Sequence, residues 1–244
     1  MKKIFCLLAV AALFATAPLN ADVISVNFSE AADRVNQTLT PGTFAGSGLG
    51  VDAGNWNNVA LLNGSQGSLN DRDGVATGVS VTWGSGGMWG DATANVDADN
   101  GIGNAMMLRG YLDDTDDIGG TSDGIGVSID LSGITYGTYD IIMFGSTDTA
   151  GGGYVDATIG GNVYSTTGTK DLYGANPNLD ATRTWVASGL SGSSLSITLE
   201  TRNGATRGSV AGFQIVDTTT AVPEPGTLGM IAMAGIACVL RRRK

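Results

Sequence analysis

Ser194-Leu195-Ser196-Ile197-Thr198-Leu199-Glu200 alternates a hydroxyl or acid with an aliphatic residue at every step. A period of two sends Leu195, Ile197 and Leu199 to one face and the polar set to the other, as in a strand with one side on a core and one in water. The same pattern recurs along the chain. Ile24, Val26 and Phe28 alternate with Ser25 and Asn27; Val79, Val81 and Trp83 with Ser80 and Thr82; Val127, Ile129 and Leu131 with Ser128 and Asp130. Each predicts a strand half on a core and half in water. Tyr139-Asp140-Ile141-Ile142-Met143-Phe144 is apolar at nearly every position, which predicts a central strand covered on both sides. Val155–Ile159, then Gly160-Gly161, then Asn162–Thr166 reads as a hairpin with a glycine turn. Phe213 and Ile215 form a last strand.

No stretch shows a long 3.6-residue apolar period. About ten short strands separated by Gly, Asn and Asp predict an all-β fold, an antiparallel β-sandwich of jelly-roll-like type. Glycine supplies 38 of the 244 residues, 35 of them between Asp22 and Ala221. With only two prolines there and regular alternation, the glycines read as turns and long irregular loops, densest over 42–54 and 84–126. No linker-like break interrupts 22–217, so a single β-sandwich domain is expected, followed by a polar linker at 218–221.

Between residues 22 and 221 lie seven basic and 22 acidic residues, a formal charge of −15, and 20 of the acids are Asp. Asp favours turns where Glu favours helices. Such a balance argues against a nucleic-acid partner, which would need clustered Lys and Arg, and disfavours anionic membrane surfaces. The chain has no His, and its two cysteines, Cys6 and Cys238, lie near the two ends. Ser-His-Asp and Cys-His nucleophiles and the usual zinc sites are therefore unavailable to residues 22–221, and no catalytic residue, metal ligand or cofactor is assigned.

The two ends are addresses. Lys2 and Lys3 form a positive n-region, Ile4–Ala15 is apolar, and a small-residue site ends at Ala21, so 1–21 reads as a signal peptide cut by signal peptidase after Ala21. A cut after Ala17 fits Ala15-Thr16-Ala17 but places Pro18 next. At the other end, residues 222–244 run Val222-Pro223-Glu224-Pro225, an apolar segment Gly226–Leu240, then Arg241-Arg242-Arg243-Lys244. As a helix the apolar segment is roughly 22 Å long, short of the roughly 30 Å hydrocarbon core. The basic residues form a membrane stop that holds the C-terminus on the cytoplasmic side. Pro223 and Pro225 keep the backbone ahead of it extended, a form that a processing enzyme can grip.

This order of motif, short transmembrane segment and basic stop closely resembles the PEP-CTERM sorting signal of Gram-negative bacteria that make extracellular polysaccharide. The resemblance implies an exosortase as partner, a membrane-embedded cysteine transpeptidase-like enzyme cutting near Pro223-Glu224-Pro225. It also implies transient inner-membrane anchoring followed by release to the cell surface or extracellular matrix. An uncut C-terminal anchor is the alternative. Gly133-Ile134-Thr135-Tyr136-Gly137-Thr138-Tyr139-Asp140-Ile141 resembles a strand of galactose-binding-like β-sandwich modules. Trp56-Asn57-Asn58, Gly110-Tyr111-Leu112-Asp113 and Gly212-Phe213-Gln214-Ile215-Val216 add short matches. This resemblance implies the sandwich fold and hints at carbohydrate.

Three constellations bear on function. Trp56, Trp83, Trp89 and Trp185 are flat rings able to stack on sugars or to fill a core. Trp83 ends an alternating strand and reads as core, while Trp89, among glycines, and Tyr111 are the candidate carbohydrate contacts. Asp71/Asp73, Asp97/Asp99 and Asp113–Asp117 resemble loose calcium loops but match no EF-hand spacing and read as solvated turns. Carboxylate pairs for glycoside hydrolysis arise by chance among 22 acids, and nothing marks one out. The expectation is a non-enzymatic, exported surface or extracellular-matrix protein. A carbohydrate-binding module for extracellular polysaccharide, with or without calcium, is the alternative.

Overall fold

The computed structural model describes residues 22–29, 38–48, 50–90, 102–114, 126–146, 155–165, 184–201 and 208–219. They form a β-sandwich of two sheets. The strands are β1 (Val23–Phe28), β2 (Asn57–Val59), β3 (Asn63–Gln66), β4 (Ser80–Gly84), β5 (Gly87–Gly90), β6 (Gly110–Asp114), β7 (Val127–Ser132), β8 (Tyr139–Gly145), β9 (Val155–Ile159), β10 (Asn162–Ser165), β11 (Thr184–Leu190), β12 (Ser194–Thr201) and β13 (Gly208–Asp217). One short helix, α1 (Ile102–Leu108), precedes β6. Sheet 1 has the order β11-β8-β13-β1-β2, with β6 beside the first half of β13 and β5 beyond it; sheet 2 runs β10-β9-β12-β7-β4-β3. Pairing is antiparallel except that β1 and β2 run parallel, Val26 opposite Asn57.

From β7 onward the chain crosses repeatedly between the sheets, and the inward side chains of both meet in one core. Val127, Ile129 and Leu131 of β7 and Leu195, Ile197 and Leu199 of β12 face Ile24, Val26, Phe28, Phe213 and Ile215 of sheet 1. Each such side chain contributes roughly 1.5–3 kcal/mol on leaving water. Phe28 anchors the middle, its ring 6.1 Å from Phe213 and 6.4 Å from Trp83. The β9–β10 hairpin turns at Gly160 and Gly161 with φ of +58° and +84°, the left-handed pair that a two-residue hairpin turn requires.

Two expectations are corrected. The stretch 84–126 is not all loop: it contains β5, α1 and β6. More tellingly, β1 is buried on both faces, with Ser25 and Asn27 as inaccessible as Val26. Residues 38–48 and 50–55 cover that outer face as a strap, folded on itself by a mutual Ala45–Ala53 pair of backbone bonds. Three carboxamides, those of Gln214, Asn58 and Asn104, hold the covering chain, because a carboxamide carries a donor and an acceptor side by side. Gln214 of β13 accepts from Val51 N (2.8 Å) and donates to Val51 O (2.6 Å) and Ser25 Oγ (3.1 Å). Asn58 grips Leu39 through both N and O (2.9 Å each), while Asn57 uses the same pair of bonds to tie Asn70, outside the strap, to β2 (2.8 Å each). Asn104 of α1 accepts from Gly46 N (2.7 Å) and donates to Ser47 O (3.0 Å).

Candidate functional site

The aromatic residues do not converge on a groove among the described residues. Trp56 lies under the strap, its indole N–H on Ala53 O (3.0 Å) and its ring 6.1 Å from Phe144. Trp83 is in the core, as its alternation predicts, and donates to Leu61 O (2.9 Å). The opposing strand makes room for it at Gly64, where an added Cβ would lie 2.6 Å from the indole. Trp185 of β11 is also in the core, its indole nitrogen buried without a partner. Tyr111, expected as a carbohydrate contact, is fully buried. It sits on β6 opposite Trp89 of β5, where strands rather than a loop carry both residues, so it offers no face to a ligand. The Trp89 side chain lies outside the described residues.

The acidic candidates separate in the same way. Asp71 Oδ1 accepts from Asp73 N (2.9 Å) and Val75 N (2.8 Å), so this carboxylate shapes a turn. Asp113 is buried in β6, whereas Asp97, Asp99, Asp116 and Asp117 lie outside the described residues. Among the described residues no group of three acids is placed to hold a metal ion.

The outer face of sheet 2 is a broad polar surface. Its outward side chains fall into cross-strand rows: Ser65–Thr82–Asp130–Ser196, then Ser80–Ser132–Ser194, then Ser128–Thr198–Thr158–Val163. Hydroxyls link neighbouring strands, Ser80 Oγ to Ser132 Oγ at 2.7 Å and Ser196 Oγ to Asp130 Oδ1 at 2.5 Å. Six strands at about 4.8 Å spacing make this grid about 24 Å wide.

The two ends of the domain meet. β1 and β13 are antiparallel neighbours with Val23 opposite Val216, and Asp217 N donates to Asp22 O at 2.9 Å. Tyr136 OH donates to Asp22 Oδ2 at 3.0 Å. Burial first, then the carboxylates of Asp22, Asp217 and Asp71, push the Tyr136 phenol well above its usual range; burial alone raises Tyr139. Ala21 immediately precedes this pairing and lies outside the described residues, as do Pro223, Glu224, Pro225, Arg241, Arg242, Arg243 and Lys244. No helix among the described residues is long and apolar enough to cross a membrane.

Residues 221–244 match the family model described as the PEP-CTERM protein-sorting motif. The chain ends in a PEP-CTERM sorting motif. The motif implies export, membrane-associated sorting and processing by an exosortase, and it begins four residues after β13 ends. No curated protein matches the chain in sequence. Among solved structures, a Bacillus subtilis protein determined by structural genomics is 10% identical over 80% of this chain and 40% of its own, with a TM-score of 0.36. The complex of the plant peptide RALF23 with FER and LLG2 gives 9% identity over 82% and 50%, TM-score 0.42. The CBM36-1 domain of a multidomain xylanase from the hindgut metagenome of Trinervitermes trinervoides gives 16% over 40% and 82%, TM-score 0.25. The chain thus spans half or less of the first two. At such values none of them speaks to ligand or activity.

The residues that sequence reasoning missed are the clamping amides. Asn57, Asn58 and Gln214 stood out only as members of short stretches that carry a resemblance, without a role of their own. An amide flanked by core residues on a strand that is apolar elsewhere was the available signal.

Proposed function

We propose that this chain is an exported, non-enzymatic surface or extracellular-matrix protein whose sandwich is delivered by its PEP-CTERM motif. Signal peptidase removes residues 1–21, the tail anchors transiently in the inner membrane, and an exosortase then frees the domain to the surface or matrix. The observation that carries this reading is the match of residues 221–244 to the sorting motif directly behind the last strand. The core positions of Trp83 and Trp185, the covered Trp56 and the buried Tyr111 support a structural role over a sugar-stacking one. The hydroxyl grid of sheet 2 supports it too, since short polar side chains keep a broad face solvated among polysaccharide without stacking on sugar rings.

Intact mass of the protein recovered from the native cell surface and medium tests the proposal. The expected masses begin at Asp22 and end near Pro223–Pro225. A mass running through Lys244 in the membrane fraction overturns the processing claim and leaves a tail-anchored surface protein.

A further inference from the structure

β3 is the last strand on its side of sheet 2 and, among the described residues, pairs with β4 alone. The ladder between them continues one step past Asn63, where Ser85 N donates to Leu62 O at 3.1 Å. In an antiparallel pair, bonded and non-bonded positions alternate. With Leu62 bonded to β4, Gly64 and Gln66 are bonded too, and the main-chain N–H and C=O of Asn63 and Ser65 point away from the sheet. Both residues are exposed. Such an edge accepts a further strand unless charge, proline, a bulge or a cover prevents it. Three other edges are guarded. β2 has three residues, and Asn58 ties the strap to it through Leu39. A bulge between Ala187 and Leu190 breaks β11, and Asp140 Oδ1 takes Gly189 N at 2.8 Å. Behind β10 stands Asp156, directly opposite Glu200. β3 has no charge, no proline and no bulge, in a chain with 22 acids between residues 22 and 221.

Backbone strain marks the same place. Leu61 has a φ of +82°, a region that a residue with a side chain enters at a cost. Trp83 holds it there, its indole N–H donating to Leu61 O (2.9 Å), and the Ser85–Leu62 bond fixes the next residue. The result is exposure: Leu61 is 64% and Leu62 42% accessible, side by side at the start of the open edge. A strained turn that shows two leucines to water next to unpaired main-chain groups points to a partner strand.

We propose that β3 pairs with β3 of a second copy of this chain, antiparallel about a dyad at Gly64. The register favours a second copy over a foreign strand. Asn63 and Ser65 lie two apart, so the dyad sets Asn63 of each chain against Ser65 of the other, with two main-chain bonds in each pair. Gly64 then meets its own counterpart at the non-bonded position, where Cα atoms approach to about 4.5 Å, and it has no side chain to obstruct them. Leu62 falls opposite Gln66, which covers its open flank. The neutral edge matters as well, since copies of so acidic a chain repel one another elsewhere. Sheet 2 of one copy runs on into sheet 2 of the other, and the hydroxyl rows of the outer face continue across the join. So short a seam belongs with the weak, transient contacts below about 1,200 Å².

Sedimentation velocity of the full chain in detergent micelles, over about 1–300 µM, tests the pairing. Micelles leave each copy free to turn end over end, as the dyad requires. Ser65→Pro removes only an outward N–H, at an edge position that tolerates proline, so its tryptophan fluorescence and urea midpoint should match wild type. Ser65→Asp keeps the N–H and brings two acids close to the dyad. Wild type is expected to shift towards dimer as concentration rises. Ser65→Pro should raise the dissociation constant at least about tenfold at every salt concentration. Ser65→Asp should do so at low salt and recover at about 1 M, where charges are screened within about 3 Å. A wild type that stays monomeric throughout overturns the proposal and leaves the edge to a foreign strand or to none. Dimerisation that Ser65→Pro leaves unchanged overturns it too. If Ser65→Pro disturbs the fold, Ser65→Asp decides alone, and dimerisation at low salt equal to wild type is the overturning result.

Discussion

Sheet 1 and sheet 2 carry the same alternation of aliphatic and polar residues, yet only sheet 2 uses it in the simple way. In β7 and β12 every second residue faces water, so the polar positions are free to be any short hydrophilic side chain. In β1 the polar positions Ser25 and Asn27 are sealed beneath the strap. Their hydrogen bonds must then come from protein, and the amides of Gln214, Asn58 and Asn104 supply the matching donors and acceptors for the covering chain. A polar residue between two core residues thus has two meanings, and only a partner far away in sequence separates them.

Replacing polar residues on each sheet tests that contrast. Gln214→Leu should have the largest effect, since Val51 N, Val51 O and Ser25 Oγ all lose their partner at once. A loss of about 2–5 kcal/mol is expected in urea unfolding. A loss under about 1 kcal/mol would mean that water replaces the amide and the strap is not clamped. Gly64→Ala at the edge of sheet 2 should cost about 1–3 kcal/mol, because the new methyl meets the Trp83 indole, and tryptophan fluorescence should report the displaced ring. Asn58→Asp keeps the acceptor for Leu39 N but sets a carboxylate against Leu39 O. A loss of about 1–2 kcal/mol, with faster hydrogen exchange at Leu39 than at Ile197, would place the weakness in the strap.

Tyr136 tests sheet 1 from its first strand. Its folded phenol holds its proton above the ordinary value of 10.0, whereas the unfolded phenol releases it there. Folding stability is therefore intact below about pH 10 and falls as pH rises beyond it. In Tyr136→Phe that alkaline slope should be shallower, with Tyr139 supplying the remainder; an unchanged slope in unfolding titrations would remove Tyr136 from the account. Ser196→Val on the outer face of sheet 2 is the smallest change, within about 0.5 kcal/mol. A cost as large as that of Gln214→Leu would mean the grid is as tightly built as the strap.

What could be read in advance follows the same division. Strands β4, β7 and β12 of sheet 2, the Gly160–Gly161 hairpin and the burial of Trp83 were legible, because each depends on neighbours within a few residues, whereas β3, with no aliphatic residue, was not. The covering of β1 was not, since the Gln214–Val51 bonds join positions 163 apart. Glycine-rich sequence hid β5, α1 and β6: short elements with few side chains leave little periodicity to find. Tyr111 was misread for that reason, placed in an exposed loop when two flanking strands enclose it. The sorting motif at residues 221–244 was legible too, because its order of motif, apolar run and basic residues works as a linear text.

The adjacency of Asp22 and Asp217 also bears on ancestry. A body whose first and last strands lie side by side is a cassette: any leader and any address can be spliced to it without disturbing a strand, and so can the two sides of a loop in an unrelated host. Recombination could therefore move this sandwich between exported proteins intact, or replace it behind the same address with another body whose ends meet.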